Sequence, residues 1–183
     1  SNGISGQEFQ EELSCCGQAL TNFRLACKHR KIPALDTEQS MRLLEDLAPI
    51  AEKISEQFRT VLVLGVGGAS LGGSALVDSL GKRANNNTGP ELHFVDSIDP
   101  ESVEKLLTSI SLDTTFFLVI SKSGKTLSTL AQFLIFCDLV AGSLGREAVS
   151  DHFIAVTEAS ENPLRRSAGP MGIRVLDHDP DIG

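Results

Sequence analysis

Phe116-Phe-Leu-Val-Ile120 contains no polar position. As an extended strand it presents apolar side chains to both sides, so it must lie in a sheet covered on both faces. The next six residues reverse that chemistry: Ser121-Lys-Ser-Gly-Lys-Thr126 holds three hydroxyls, a glycine and two lysines, and an apolar stretch to Cys137 follows. A buried strand, a short polar loop and a helix, in that order, aim backbone N–H groups, hydroxyls and the positive end of a helix dipole at an anion. No acid occurs between Thr114 and Cys137, although the whole chain has a formal net charge of −8. This local reversal of sign points to a phosphate-type site.

The same alternation runs through the chain from Thr60 onward. Val61–Leu64, Leu92–Val95, Thr115–Ile120, Phe153–Val156 and Ile173–Leu176 read as five short strands. Helices are predicted over 71–80, 100–109 and 126–141, with a short one opening at Asn162-Pro163. Asp99 and Pro100 supply an N-cap and a first helical residue. Asn85-Asn-Asn-Thr-Gly-Pro90 reads as a turn cluster. Strands alternating with helices build right-handed βαβ units. The expected fold class is therefore α/β: a three-layer, doubly wound, flavodoxin-like sheet of five parallel strands with an N-terminal helical pair. The helix after Thr126 is apolar nearly all round, so its second face is expected to need cover from another domain or subunit.

The N-terminal pair is read from helical spacing. Phe9, Leu13, Cys16, Leu20, Phe23 and Cys27 mark one stripe within residues 7–30, and Pro33 ends it. Asp36 is placed to cap the next helix, with Gln39 three residues on, and Pro49 is expected to kink or split that helix. Residues 1–58 carry no functional signal. They are expected to form a helical segment packed on a domain spanning 59–183.

Composition narrows the function classes. Hydrophobic content of 41% and charged content of 22% are those of an ordinary globular domain. The acidic balance and the lack of a basic stripe argue against nucleic acid as a partner. No apolar run reaches the ~18–20 residues of a membrane span. Cys15, Cys16, Cys27 and Cys137 form no CxxC pair and sit in apolar helical patterns. They read as reduced core thiols of a cytoplasmic protein.

Two loops qualify as ligand sites, since open parallel sheets bind ligands at the carboxyl ends of their strands. The first, Gly65-Val-Gly-Gly-Ala-Ser70, lies in a stretch without any charge from Thr60 to Val77. A dinucleotide fingerprint with Asp96 as its ribose-binding acid is a poor match, because Ser70 stands where a glycine is wanted. A glycine turn kept for close packing is the plain alternative. The second loop ends in Gly124-Lys125-Thr126, as a nucleotide-triphosphate loop does. Val119 occupies the position where that loop needs its other glycine, so a triphosphate loop is excluded. What remains suits a phosphomonoester, held by Ser121, Lys122, Ser123 and Thr126. A polar turn with Thr126 as a mere cap is the alternative.

These residues also carry a resemblance. Gly65-Val-Gly-Gly-Ala-Ser-Leu-Gly72 resembles the Gly-Ile-Gly-Gly-Ser-x-Leu-Gly motif of glucose-6-phosphate isomerases. Ser121-Lys-Ser-Gly-Lys-Thr-Leu-Ser-Thr129 resembles that family's Ser-Lys-Ser/Thr-x-x-Thr-x-Glu-Thr signature. Phe94-Val-Asp-Ser-Ile-Asp-Pro100 is similar to its Val-Ser-Asn-Ile-Asp-Pro stretch, and Pro180-Asp-Ile-Gly183 to the lead into its Gly-Gly-Arg-Phe-Ser motif. The four matches fall in order over about residues 60–183. They imply the sugar isomerase (SIS) fold, binding of glucose 6-phosphate and fructose 6-phosphate, and no cofactor or metal. They also imply a place in glycolysis and gluconeogenesis and a homodimeric parent enzyme.

Carried over by position, Ser121, Lys122, Ser123 and Thr126 hold the phosphate, and Gly67 and Gly68 lie against the sugar. Ala69 replaces the motif serine, with Ser70 as the neighbouring hydroxyl. Ser128 replaces the motif glutamate, and Gly73 the proline after Leu-Gly. Isomerisation through an enediolate needs a proton-transferring base and positive charge at the developing oxyanion. The family's residues for these roles lie beyond Gly183 and in a second SIS domain, so no catalytic residue is assigned here. The chain is expected to be an N-terminal fragment, inactive alone. A regulatory SIS module that senses a phosphosugar without turning it over is the alternative. Among the histidines, His29 lies before the site, His93 and His152 at strand starts, and His178 in an acidic turn that reads as solvated rather than metal-binding.

Overall fold

The computed structural model describes residues 3–81 and 89–182. The turn cluster read at 85–90 falls largely outside the described residues. By its contacts the chain divides at Ala48–Pro49 into two units.

The first unit holds α1 (Gly6–Lys28) and the first turns of α2 (Thr37–Gln57). Ser5 and Glu8 form a reciprocal capping box at the start of α1, which satisfies two backbone donors that a helix end leaves open. Asp36 accepts from the Gln39 N–H at 3.2 Å, the expected cap of α2. No side chain of α1 is buried. Cys15 and Cys16 are exposed and Cys27 is half-buried, so these three are not core thiols; only Cys137 is. Their stripe is an apolar helix face, and spacing alone does not say whether such a face is covered. α2 runs unbroken through Pro49, so the expected split does not occur. The lost backbone bond is offset beyond it, where Ile50, Ile54 and Phe58 pack on the sheet.

The second unit is a parallel sheet of β1 (Thr60–Leu64), β2 (Glu91–Val95), β3 (Thr115–Ile120), β4 (Phe153–Glu158) and β5 (Arg174–His178), in the order β2-β1-β3-β4-β5. Alternate residues point to opposite faces, as the pleat requires. Leu62, Leu64, Phe117 and Val119 enter one cluster, Val61, Val63 and Phe116 the other. The first cluster is closed by α4 (Pro100–Ser109), α5 (Leu127–Leu144) and α7 (Pro163–Ala168). Phe117 stacks on Phe153 at 4.5 Å, and Phe133 meets Phe153 edge-on. α3 (Gly68–Gly81) connects β1 to β2, and the ring of Phe94 from β2 fills the space beside Gly73. A short α6 (Ala148–His152), absent from the sequence-based expectation, leads into β4.

The fold class is the expected one. α5 is 18 residues long and, by length and composition alone, apolar enough to cross a membrane. Here one face of it is core: Phe133, Phe136 and Val140 are fully buried, together with the polar Thr129 and Gln132. Its other face shows Leu127, Leu134 and Ile135. His178 and Asp177 are not in a turn as expected. They end β5, paired with Glu158 and Thr157 of β4, and Asp177 takes an ion pair from Arg165.

Candidate phosphosugar site

The order β2-β1-β3 places the switch point of the sheet between β1 and β3. The chain leaves β1 toward one edge and returns to β3 on the other side, so the loops after these two strands diverge and leave a crevice at their carboxyl ends. Both loops singled out in the sequence begin there, one at the end of each strand.

The loop after β1 is shaped by its glycines. A Cβ at Gly65 would come 2.9 Å from the Ile120 carbonyl, so glycine is what lets the ends of β1 and β3 approach. The packing reading thus fits Gly65. Gly67 has φ +61, a left-handed conformation that glycine adopts freely, and nothing lies within 4 Å of the side-chain direction of Gly67 or Gly68. Both are exposed and face open space, as a ligand-side backbone requires. Ser70 is buried, and its hydroxyl donates to the Gly67 carbonyl at 3.3 Å. It braces the turn instead of facing the crevice.

The loop after β3 gathers the other residues. Ser121 is buried and donates to the Thr126 hydroxyl at 3.2 Å, so the first and last hydroxyls of the loop converge. Thr126 is the N-cap residue of α5, yet its side chain makes no capping bond. The reading of Thr126 as a mere cap therefore does not hold. The first-turn N–H groups of α5 lack intrahelical partners by the geometry of any helix, and the dipole adds positive potential there. Ser123 and Lys125 are exposed and Lys122 is half-buried. Two cations, three hydroxyls and a helix N-terminus thus share one short loop, a set suited to a dianionic phosphate.

The loop is held from behind by residues that sequence reasoning missed. The Lys122 carbonyl accepts from the Glu158 N–H at 2.9 Å and the Thr157 hydroxyl at 3.0 Å. The Leu164 N–H donates to the Gly124 carbonyl at 3.1 Å. Gly124 has φ +62 and lies against Asn162. The only sequence signal for Asn162 was its place before Pro163, which marks a helix start and no more. Gln132 was missed too. Its Nε2 donates to the Val95 and Ser97 carbonyls, at 3.0 and 2.9 Å, and ties the loop after β2 to α5.

The histidines stand apart. His152 is buried before β4, with Nδ1 2.8 Å from the Thr115 carbonyl, at the amino end of the strands. His93 is the third residue of β2, not at its start, and sits 3.2 Å from Glu91.

A family model described as phosphoglucose isomerase matches residues 49–172, which include both loops. The chain belongs to the phosphoglucose isomerase family. The glucose-6-phosphate isomerase of Carboxydothermus hydrogenoformans is 31% identical over 158 residues, covering 83% of this chain and 33% of the relative. One from Thermus thermophilus is 31% identical over 122 residues, covering 67% and 28%. The chain thus spans about a third of the length of these curated relatives. Among solved structures, a glucose-6-phosphate isomerase from Chlamydia trachomatis superposes with a TM-score of 0.66 at 27% identity, over 84% of this chain and 28% of that one. A hypothetical protein from Thermus thermophilus gives a TM-score of 0.69 at 25% identity, over 93% and 43%.

Proposed function

We propose that this chain is the sugar-phosphate-binding domain of a glucose-6-phosphate isomerase. The parent enzyme interconverts glucose 6-phosphate and fructose 6-phosphate in glycolysis and gluconeogenesis, in the cytoplasm and as a homodimer. Residues 59–183 form the binding domain, and the helical segment 1–58 precedes it in the chain. Ser121, Lys122, Ser123 and Thr126 hold the phosphate, Gly67 and Gly68 border the sugar, and Ser70 supports that turn. The reaction is redox-neutral: a proton leaves C2 and returns at C1 through an enediolate, so it calls for a base and an electrophile but no redox cofactor. Those groups are supplied by the parent enzyme outside this chain, from the motif that follows Gly183 and from the second SIS domain and C-terminal tail. The loop's contribution is to fix the reacting carbons by gripping the phosphate, which lowers the entropy cost of the proton transfer.

The observation that carries this reading is that both loops start from the two strands that flank one switch point, with α5 uncapped by Thr126. A thermal-shift titration tests it, because a ligand that binds only the folded state raises the unfolding temperature. Fructose 6-phosphate and 6-phosphogluconate should stabilise the chain more than inorganic phosphate does, and fructose and NAD should leave it unchanged. Stabilisation by NAD alone would overturn the reading.

Ala69, Ser128 and the inward turn of the Ser70 hydroxyl favour a second reading, a regulatory phosphosugar sensor without turnover. An isomerase assay on the full-length parent separates the two: turnover of fructose 6-phosphate excludes the sensor.

A further inference from the structure

Asn162 lies outside both loops, between β4 and α7, and is 2% exposed. Its amide is fully committed. Nδ2 donates to the Ser160 carbonyl at 2.9 Å and to the Glu158 carbonyl at 3.3 Å, and Oδ1 accepts from the Arg165 N–H at 3.0 Å. These bonds fix which way the amide faces, and Oδ1 faces Gly124. A Cβ on Gly124 would fall 1.9 Å from that oxygen and 2.9 Å from the Thr157 hydroxyl. No side chain fits there, and the φ of +62 restricts the position to glycine independently.

The contact is part of a lattice. Ser121 donates its N–H to the Val156 carbonyl at 3.0 Å, and Gly124 donates to the Ser121 carbonyl at 3.0 Å. The Gly124–Ser121 bond closes the loop on itself, and the Ser121–Val156 bond, with the Lys122 and Gly124 carbonyl bonds, fastens it to the segment from Val156 to Leu164. Asn162 is the one side chain in that segment that both closes its own loop and abuts the loop across from it. A polar loop of six residues that had to be ordered by its ligand would bind weakly, because the ordering entropy is subtracted from the affinity.

We propose that Asn162 is a positioning residue of the anion loop: it touches no ligand, and it locks Gly124 so that Ser121, Ser123, Thr126 and the first amides of α5 stand ready for a phosphate. The proposal rests on the phosphosugar reading of that loop.

The test measures amide hydrogen exchange and ligand affinity on the same 183-residue chain. Asn162→Ala removes the lock. Asn162→Asp keeps the cap of α7 but loses both Nδ2 donors, and serves if the alanine variant does not fold. Ile173→Ala, a buried site just before β5, is a destabilised control that leaves the loop intact. Exchange at the Gly124 and Leu164 amides should rise about tenfold or more in the ligand-free Asn162 variants and not in the control, as expected for local opening. The dissociation constants of inorganic phosphate and fructose 6-phosphate should rise about fivefold or more in the Asn162 variants alone, reflecting lost pre-organisation. Unchanged exchange at Gly124, or faster exchange with unchanged affinity, overturns the positioning role. If the wild-type chain binds neither ligand, the phosphosugar reading fails, and the exchange data still decide whether Asn162 holds the loop.

Discussion

The Thr157 hydroxyl donates to the Lys122 carbonyl at 3.0 Å, so the end of β4 grips the backbone of the residue that carries the loop's first cation. The same carbonyl also takes the Glu158 N–H, so removing the hydroxyl leaves one bond in place. Thr157→Val should therefore cost about 1 kcal/mol of stability, the usual net worth of one hydrogen bond. Urea denaturation reads that loss. A midpoint equal to wild type would show that the hydroxyl bond is redundant beside the Glu158 N–H.

Lys122→Ala should weaken fructose 6-phosphate binding by roughly 1–3 kcal/mol, the range for a charge-assisted hydrogen bond, while leaving the fold stable. Isothermal titration measures it. Affinity equal to wild type would remove the loop after β3 from the phosphate site.

Gln132 is 1% exposed and serves two carbonyls of the loop after β2. Gln132→Met keeps the shape but leaves the Ser97 carbonyl without this donor and the Val95 carbonyl with only a long 3.4 Å bond from Gly65. Each lost hydrogen bond is worth about 1 kcal/mol, set against the gain from removing the buried Gln132 Oε1, which has no hydrogen-bond partner, so the denaturation midpoint should fall by less than the combined worth of two bonds.

The Asp99 carboxylate accepts from the Ser102 hydroxyl and from the Ser102 N–H, the latter capping α4, and these bonds hold its carboxyl below the ordinary value of 3.8. A depressed carboxylate stabilises the fold above its unfolded value and loses that contribution as pH falls through its folded one. Protection of the Ser102 amide should therefore be full at neutral pH and fade below about pH 4. Asp99→Ala should remove this pH dependence. Hydrogen exchange between pH 3 and 6 checks both statements, at roughly the carboxylate titration range.

Burial pushes the Cys137 thiol up to about 12, and the residue is only 4% exposed. Only the thiolate is nucleophilic, so Cys137 should resist alkylation in the native chain while Cys15 and Cys16 react. Mass spectrometry after brief iodoacetamide treatment, with and without urea, distinguishes them. Native labelling of Cys137 at the rate of Cys15 would show that α5 opens from the sheet.

The five strands, their parallel sense and the two loops were legible because each rests on local chemistry. An all-apolar run such as Phe116–Ile120 has no solvent face to offer, and a glycine or hydroxyl loop before a helix has few other uses. Asp99 and Asp36 could be read as caps because a cap needs only its own first turn. What the sequence did not determine depends on distant residues meeting. Whether an apolar stripe is covered is a matter of partners, which is why Cys16 is exposed and Cys137 buried despite similar patterns. Ser70 and Thr126 occupy positions that could face a ligand or the backbone, and only the folded turn decided that Ser70 donates to Gly67 while Thr126 leaves α5 uncapped. Asn162 gave no signal of its role, because that role exists only where the β4–α7 loop and Gly124, remote in sequence, are brought together by the sheet.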